Sequence, residues 1–216
     1  MAANNRDLLL RGARQLHLDL SEEGLGQLLR YLAELLKWRQ KVNLIARDTP
    51  QPQVVENHFL DSLSLLPLVQ GPEVHLLDVG SGAGFPGLAL ACVLPQARFT
   101  LVEPRQKRVS FLRHVIRTLG LRNVEVVADR IEPHLQAWQG RFTHITSRAV
   151  AEPGNFLPLI GEMVELQTQV VLMLAHAEAL AGIEDLDDGG WQIIEQHQLR
   201  LPFSGAPRLL AVVGRR

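Results

Sequence analysis

Residues 74–87 read VHLLDVGSGAGFPG, a short apolar run that passes into a loop carrying Gly80, Gly82, Gly84 and Gly87. Val74, Leu76, Leu77 and Val79 form an almost continuous apolar stretch bounded by turn residues, the pattern of a parallel strand buried on both faces. Glycine lacks the Cβ that would block a close approach or a positive φ, so the loop suits backbone that must reach a ligand. Leu88, Ala89, Leu90, Ala91 and Leu94 continue at helical spacing, and Pro95 closes the helix. The stretch predicts a strand, loop and helix unit of the nucleotide-binding kind.

What such a loop holds is decided by its neighbours. Gly82, Gly84 and Gly87 satisfy G-x-G-x-x-G, a spacing that also suits a dinucleotide and is unspecific taken alone. Asp78 at the strand end completes D-V-G-S-G-A-G, which resembles motif I of the Rossmann-like methyltransferases and turns the reading toward S-adenosylmethionine. Phe99 to Val102 reads as a second strand ending in Glu103, at the offset of about 20 residues where a carboxylate accepts hydrogen bonds from ribose hydroxyls. Both cofactor classes use that carboxylate, so Glu103 argues for an adenosine ligand without choosing between them. An ordinary tight turn would require the glycines, Asp78 and Glu103 to coincide by chance.

Downstream, Pro104 to Leu119 predicts a helix with Val109, Leu112, Val115, Ile116 and Leu119 inward, ended by Gly120. Asn123 to Val127 is a third strand, and in the following Ala128 to Glu132 an adenine would lie against Ile131 with polar groups at its edge. Phe142 to Ser147 is a fourth strand, from which Arg148 emerges at the carboxyl edge beside the loop, where an arginine pairs with a carboxylate or a phosphate. A helix over Pro153 to Leu166 and a strand over Val170 to Leu174 follow, and Trp191 to Leu199 with Arg208 to Val213 reads as a closing pair of strands. Strands alternating with helices and then a terminal pair match an α/β fold, the seven-stranded Rossmann-like methyltransferase plan.

Upstream, Leu8, Leu9, Ala13 and Leu16 recur near helical spacing, Ser21 with Glu22 and Glu23 marks a helix start, and Leu25, Leu28, Leu29, Leu32, Leu35 and Leu36 form an apolar stripe. Residues 1–70 are expected as a helical extension packed on a core of residues 71–216. Its run from Leu36 to Ile45 sets Trp38 among Lys37, Arg39 and Lys41, which suits RNA contact by stacking and phosphate pairing. Trp38 as a buried helix anchor is the equal alternative. His58 and Asp61 stand three residues apart at the entry to a helix running to about Val69, and Asp61 with Ser62 suits helix capping. No serine nucleophile elbow or cysteine partner accompanies them, so a structural or substrate-positioning role is expected.

Composition sets the outer bounds. With 216 residues, 46% hydrophobic content and a mean hydropathy of +0.04, the chain can bury a full core as one domain with a small appendage. No apolar run approaches the roughly 20 residues that span a bilayer, and the N-terminal stretch lacks a signal-peptide core, so a cytoplasmic protein without membrane contact is expected. The single cysteine, Cys92, reads as core, and the eight histidines show no metal-ligand spacing. Net charge is only -1, yet residues 1–150 carry 18 Lys+Arg against 14 Asp+Glu while the remainder carries 4 against 9. The positive balance therefore sits with the glycine loop. Lys37, Arg39, Lys41 and Arg47 form one cluster, and Arg98, Arg105, Lys107, Arg108, Arg113 and Arg117 a second, as a phosphate-contacting surface requires. Either cluster alone also reads as a solvated helix face.

A family resemblance joins these segments. Lys37-Trp38 with Val42-Asn43-Leu44, the run His58-Phe59-Leu60-Asp61-Ser62, the loop from Asp78 to Gly87, Lys107-Arg108-Val109 with Phe111-Leu112-Arg113, and Ser147-Arg148-Ala149 follow one another as in a single family. The chain resembles the bacterial glucose-inhibited division protein B family, the 16S rRNA guanine-N7 methyltransferases, over nearly its whole length. The resemblance implies that Gly80 and Phe85 in the loop, Ile131 and Glu132 after the third strand and Arg148 after the fourth line an S-adenosylmethionine site. Glu103 stands where many members have aspartate, which keeps the carboxylate. Ile45 falls where a threonine is common, and Leu174-Ala175-His176 replaces a segment that usually carries Lys-Gly.

The expected chemistry needs no triad, because guanine N7 has an in-plane lone pair and no proton to remove. Asp78, Gly80, Gly82, Gly84 and Glu103 are expected to hold the cofactor, and Arg148 to fix the donor end or an RNA phosphate as the catalytic arginine. Lys37, Arg39, Lys41, Arg105, Lys107 and Arg108 would dock the 16S rRNA or the small ribosomal subunit, with the protein acting as a monomer. Three other readings stand beside this one: an NAD-dependent oxidoreductase, a small-molecule methyltransferase indifferent to salt, and a binding-only protein holding S-adenosylmethionine or rRNA.

Overall fold

The computed structural model describes residues 2–71, 73–148, 152–180 and 190–216. The chain opens with helices α1 (Ala2–Gln15) and α2 (Glu22–Trp38), and Ser21 caps α2 by accepting the Gly24 N–H at 3.1 Å. A second helical stretch begins at α3 (Gln51–Val54), widens into a π-helical turn at Val55–Leu60 and ends in α4 (Asp61–Leu63). The helix thus starts some ten residues before the entry expected near Asp61, with Pro52 in the first turn and Asp61 and Ser62 inside the helix. They cap nothing: the Asp61 carboxylate accepts from Arg208 Nε at 2.9 Å and the Ser62 hydroxyl donates to the His58 carbonyl.

The glycine-rich stretch forms β1 (His75–Val79) and the short helix α5 (Gly87–Ala91). Then follow β2 (Arg98–Val102), α6 (Gln106–Leu119), β3 (Val124–Val127), β4 (His144–Ser147), α7 (Pro153–Ile160), β5 (Gln169–Leu174), β6 (Trp191–Arg200) and β7 (Pro207–Arg215). They make one seven-stranded sheet in the order β3-β2-β1-β4-β5-β7-β6. The first five strands are parallel, and β7 runs antiparallel to both β5 and β6. Strand order therefore reverses between β1 and β4. At the carboxyl ends Val79 pairs with Val102 on one side and Ser147 on the other, which opens a crevice at the switch point. Phe142, expected as the first residue of the fourth strand, lies ahead of it and packs edge-on to His75 and Trp138.

The helices before β1 do not pack as a separate body. Leu9, Leu28, Leu32, Phe59 and Leu60 share one buried cluster with Phe85, Leu88, Leu101, Phe111 and Leu112. Burying that stripe holds α1 and α2 against α5 and α6, on the side of the sheet opposite the Trp138, Ile145 and Phe156 cluster. Among the described residues no helix is long and apolar enough to cross a membrane.

Candidate active site

The loop after β1 is held by the end of β2, through one backbone carbonyl and one carboxylate. Gly80 and Ser81 donate their N–H groups to the Val102 carbonyl at 2.9 and 3.0 Å, and Gly82 donates to Glu103 Oε2 at 2.9 Å. Glu103, 2% exposed, also accepts from Arg105 N–H at 2.9 Å, with Arg108 3.6 Å away. Each oxygen of a carboxylate can accept more than one bond, so this arrangement leaves capacity for hydroxyl donors. Gly84 at φ +97° and Gly87 are needed for different reasons. A Cβ at Gly84 would sit 2.6 Å from the Tyr31 hydroxyl, and one at Gly87 would sit 2.5 Å from Leu101 Cδ2 and 2.8 Å from Asp78 Cβ.

Asp78 is placed beneath the loop rather than on the cleft. It is fully buried, its Oδ2 accepts the Gly87 N–H at 2.9 Å, and its Oδ1 has no hydrogen-bond partner among the described residues. Burial pushes its carboxyl up to about 6, against the Gly87 bond that favours the ionised form. Its role in the geometry is to tie the start of α5 to the end of β1, so the expectation that it touches cofactor does not match its position. Gly84 likewise lies behind the cleft wall, against Tyr31 and Leu88.

The cleft itself has a volume of about 740 Å³ and is lined by Gly80, Gly82, Phe85, Glu103, Ile131, Glu132 and Arg148, among others. Phe85 presents one ring to four neighbours, stacked on Tyr31 at 5.3 Å and on His58 at 5.2 Å, edge-on to Phe59 at 5.1 Å, with Arg148 5.2 Å above its centroid. Tyr31 of α2 also donates its hydroxyl to the Ala83 carbonyl, so a helix of the extension reaches into the glycine loop.

Arg148 faces the loop from the end of β4. It donates to the Asn57 carbonyl at 2.9 Å and to His58 Nδ1 at 3.1 Å, and lies 3.8 Å from Asp61 Oδ2. Because arginine only donates, His58 Nδ1 must carry the lone pair, which requires the neutral ring. Burial, reinforced by Arg148, accordingly pushes His58 down to about 3. Burial also lowers Arg148, opposed by Asp61 and Asp78, and raises Asp61, opposed by Arg208. Glu56 on the same turn accepts the N–H groups of Phe203 and Ser204 at 2.6 and 2.8 Å, which pins the turn between β6 and β7.

The six expected RNA contacts divide. Arg105 and Arg108 line the cleft at the start of α6, and Lys107 is exposed on its first turn. Lys41 is exposed, Lys37 pairs with Glu34 at 2.6 Å, and Arg39 is turned inward to the Thr49 carbonyl at 2.8 Å. Trp38 packs 5.6 Å from Phe111 and 5.0 Å from His114, an anchor that draws the end of α2 alongside α6. The sequence reading missed Leu44, Ile45, Ala46 and Thr49, which line the cleft from the link between α2 and α3, and Leu159 of α7. The Val42-Asn43-Leu44 segment already belonged to the resemblance and was the available signal for the first of these.

A glycine-rich loop at the switch point of a seven-stranded sheet with one antiparallel strand defines the Rossmann-like methyltransferase class. The chain shares this fold with a mutant of MtNAS in complex with S-adenosylmethionine, at TM-score 0.58 and 20% identity over 90% of this chain and 79% of that one. The sequence description of the GidB family, rRNA small subunit methyltransferase G, matches residues 25–204. Ribosomal RNA small subunit methyltransferase G of Desulfotalea psychrophila is 44% identical over 95% of this chain and 96% of its own length. Its counterpart from Geotalea uraniireducens is 36% identical over 96% and 95%. The chain belongs to the rRNA small subunit methyltransferase G family.

Proposed function

We propose that this protein transfers the methyl group of S-adenosylmethionine to N7 of a guanosine in 16S rRNA, acting as a cytoplasmic monomer on the small ribosomal subunit or its RNA. The observation that carries this reading is the cleft between the glycine loop and Arg148 at the switch point, which combines an acid, a cation and apolar walls. The residues fit the cofactor: Glu103 would accept its ribose hydroxyls, Ile131 and Leu159 would flank its adenine, and Arg148 would meet its carboxylate or an RNA phosphate. When bound, S-adenosylmethionine supplies a sulfonium methyl, which forms a bond to the N7 lone pair as the sulfur–methyl bond breaks.

N7 carries no proton, so the protein has to position and orient rather than to accept a proton. Gly80 and Gly82 give backbone approach, and Phe85 with His58 holds the guanidinium of Arg148 in place from one side. In this reading residues 1–70 are a helical extension docked on a core of residues 71–216. Trp38 packs the end of this extension on His114 of α6, and Lys37 and Lys41 together with Arg105, Lys107 and Arg108 would dock RNA phosphates. The test is transfer of labelled methyl from S-adenosylmethionine to small subunits and to free 16S rRNA, with the product base mapped. Label at N7 of one guanosine is expected. Label absent from both substrates, in protein that binds the donor, would show a binding-only protein.

A further inference from the structure

A second cavity, of about 550 Å³, opens at the same edge of the sheet. It is lined by Ala175, His176 and Glu178 after β5, Gln198 to Arg200 at the end of β6, and Pro207 to Leu209 at the start of β7. These segments meet because β6 runs parallel to β5, and β7 enters the sheet where β6 leaves it. Asp61 joins this cavity to the donor cleft: its carboxylate takes Arg208 Nε at 2.9 Å from one side and lies 3.8 Å from Arg148 Nη1 on the other. One arginine from each lining, Arg148 and Arg208, therefore meets the same carboxylate, so the two sites adjoin.

The lining combines an acceptor-only carboxylate, guanidinium donors and the aliphatic surfaces of Leu199, Leu209 and Pro207. A purine needs this mixture, and the arrangement of charge distinguishes between purines. Guanine offers two adjacent donors, N1–H and the N2 amino group, beside the O6 acceptor. Adenine places a lone pair at N1, which a carboxylate repels. Pairing with N1–H and the N2 amino group leaves N7, on the neighbouring edge that it shares with O6, uncommitted.

We infer that this cavity holds the target guanine, with Glu178 accepting from N1–H and the N2 amino group and Arg200 donating to O6. Arg200 is braced for this, since its Nη1 donates to the Gly205 carbonyl at 2.9 Å and leaves its other N–H groups for the base. Arg208 is committed to Asp61 and to the Pro207 carbonyl, and so links base pocket to donor cleft. This assignment rests on the guanine-N7 reading above and deepens it.

The test uses the full chain with Glu178→Gln and Arg200→Ala. Both variants are expected to bind S-adenosylmethionine as the unaltered protein does, while kcat/KM for rRNA methylation falls about tenfold or more through unpaired polar groups at the base edge. With the protein saturated in S-adenosylmethionine, guanosine monophosphate should inhibit rRNA methylation about tenfold better than inosine monophosphate, which lacks the N2 amino group. Glu178→Gln should narrow that gap. Undiminished kcat/KM in both variants, equal inhibition by the two nucleotides, or loss of donor affinity in the variants would each overturn the assignment. Failure of the unaltered protein to methylate guanine N7 is a separate result that overturns the underlying reading, and it requires no variant to see.

Discussion

The glycine loop and the Arg148 cluster face each other across one cleft and are built in opposite ways. The loop is contiguous and made of backbone: Gly80, Ser81 and Gly82 hang from Val102 and Glu103, and a hydroxyl from α2 holds it at Ala83. The cluster is made mainly of side chains from three remote segments, with the Asn57 carbonyl and the His58 and Asp61 side chains on one turn meeting Arg148 and Arg208 from two strand ends. A backbone site tolerates no added volume, whereas a side-chain site tolerates volume and depends on each polar partner being present.

The comparison breaks most visibly at Gly84. Alanine there would have to keep φ +97° with its Cβ 2.6 Å from the Tyr31 hydroxyl and 2.9 Å from Leu88 Cβ. A loss of about 3 kcal/mol or more is expected, together with loss of S-adenosylmethionine binding. Calorimetry finding a Gly84→Ala protein of undiminished stability and donor affinity would show that the loop is not the rigid half. Arg148→Ala comes next. It should spare folding and lower donor binding or turnover by roughly 10- to 100-fold, the worth of lost charge-assisted hydrogen bonds. Lysine should not restore it, because a point charge cannot serve Asn57, His58 and a ligand together. Full rRNA methylation by Arg148→Ala would remove this residue from the site.

Smaller changes sharpen the contrast. Tyr31→Phe keeps the ring stack on Phe85 and deletes the hydrogen bond to Ala83, at a cost of about 1 kcal/mol and a severalfold drop in donor affinity. If affinity is unmoved, the extension supports the fold without shaping the loop. Acid should act first on the side chains. His58 falls from an ordinary 6.5 to about 3 and His75 to about 4, so between pH 6.5 and these values the unfolded chain binds protons that the folded chain refuses. Stability from both is complete above 6.5 and is lost as pH falls. Asp78, raised from 3.8 to about 6, acts in the other direction, its share being present at low pH and lost as pH rises through 6. Denaturation midpoints measured against pH should decline below 6.5, and His58→Asn should flatten the decline. The smallest effect is expected at exposed Lys41, where alanine should leave donor affinity alone and lower the salt slope of RNA binding by about one.

These contrasts also decide how much was legible in the chain before any coordinates. The central strands were readable because short runs rich in apolar residues and bounded by turn residues report burial over a short range, whereas the mostly exposed β6 was read only from its pairing with the apolar run of β7. Likewise the loop, Glu103 and the position of Arg148 after β4 follow from local pattern and offset. The helix containing His58 was misplaced because Asp61 and Ser62 carry a capping signature that buried pairing with Arg208 overrides. Asp78 was expected at the ligand because it adjoins the glycines. In the structure its side chain points back to Gly87, on the far side of the loop.

The sequence by itself therefore determined the strands, their order along the chain and the glycine loop, since strand burial and loop backbone depend on neighbours within a few positions. Only the tertiary structure decided that Asn57, His58 and Asp61 meet Arg148 and Arg208, that Tyr31 reaches Ala83, and that one arginine from each cavity lining meets Asp61. The physical reason is that such meetings depend on which strand ends the sheet order sets side by side. Here β4 lies next to β1, and β7 lies between β5 and β6, so residues far apart in the chain share one edge.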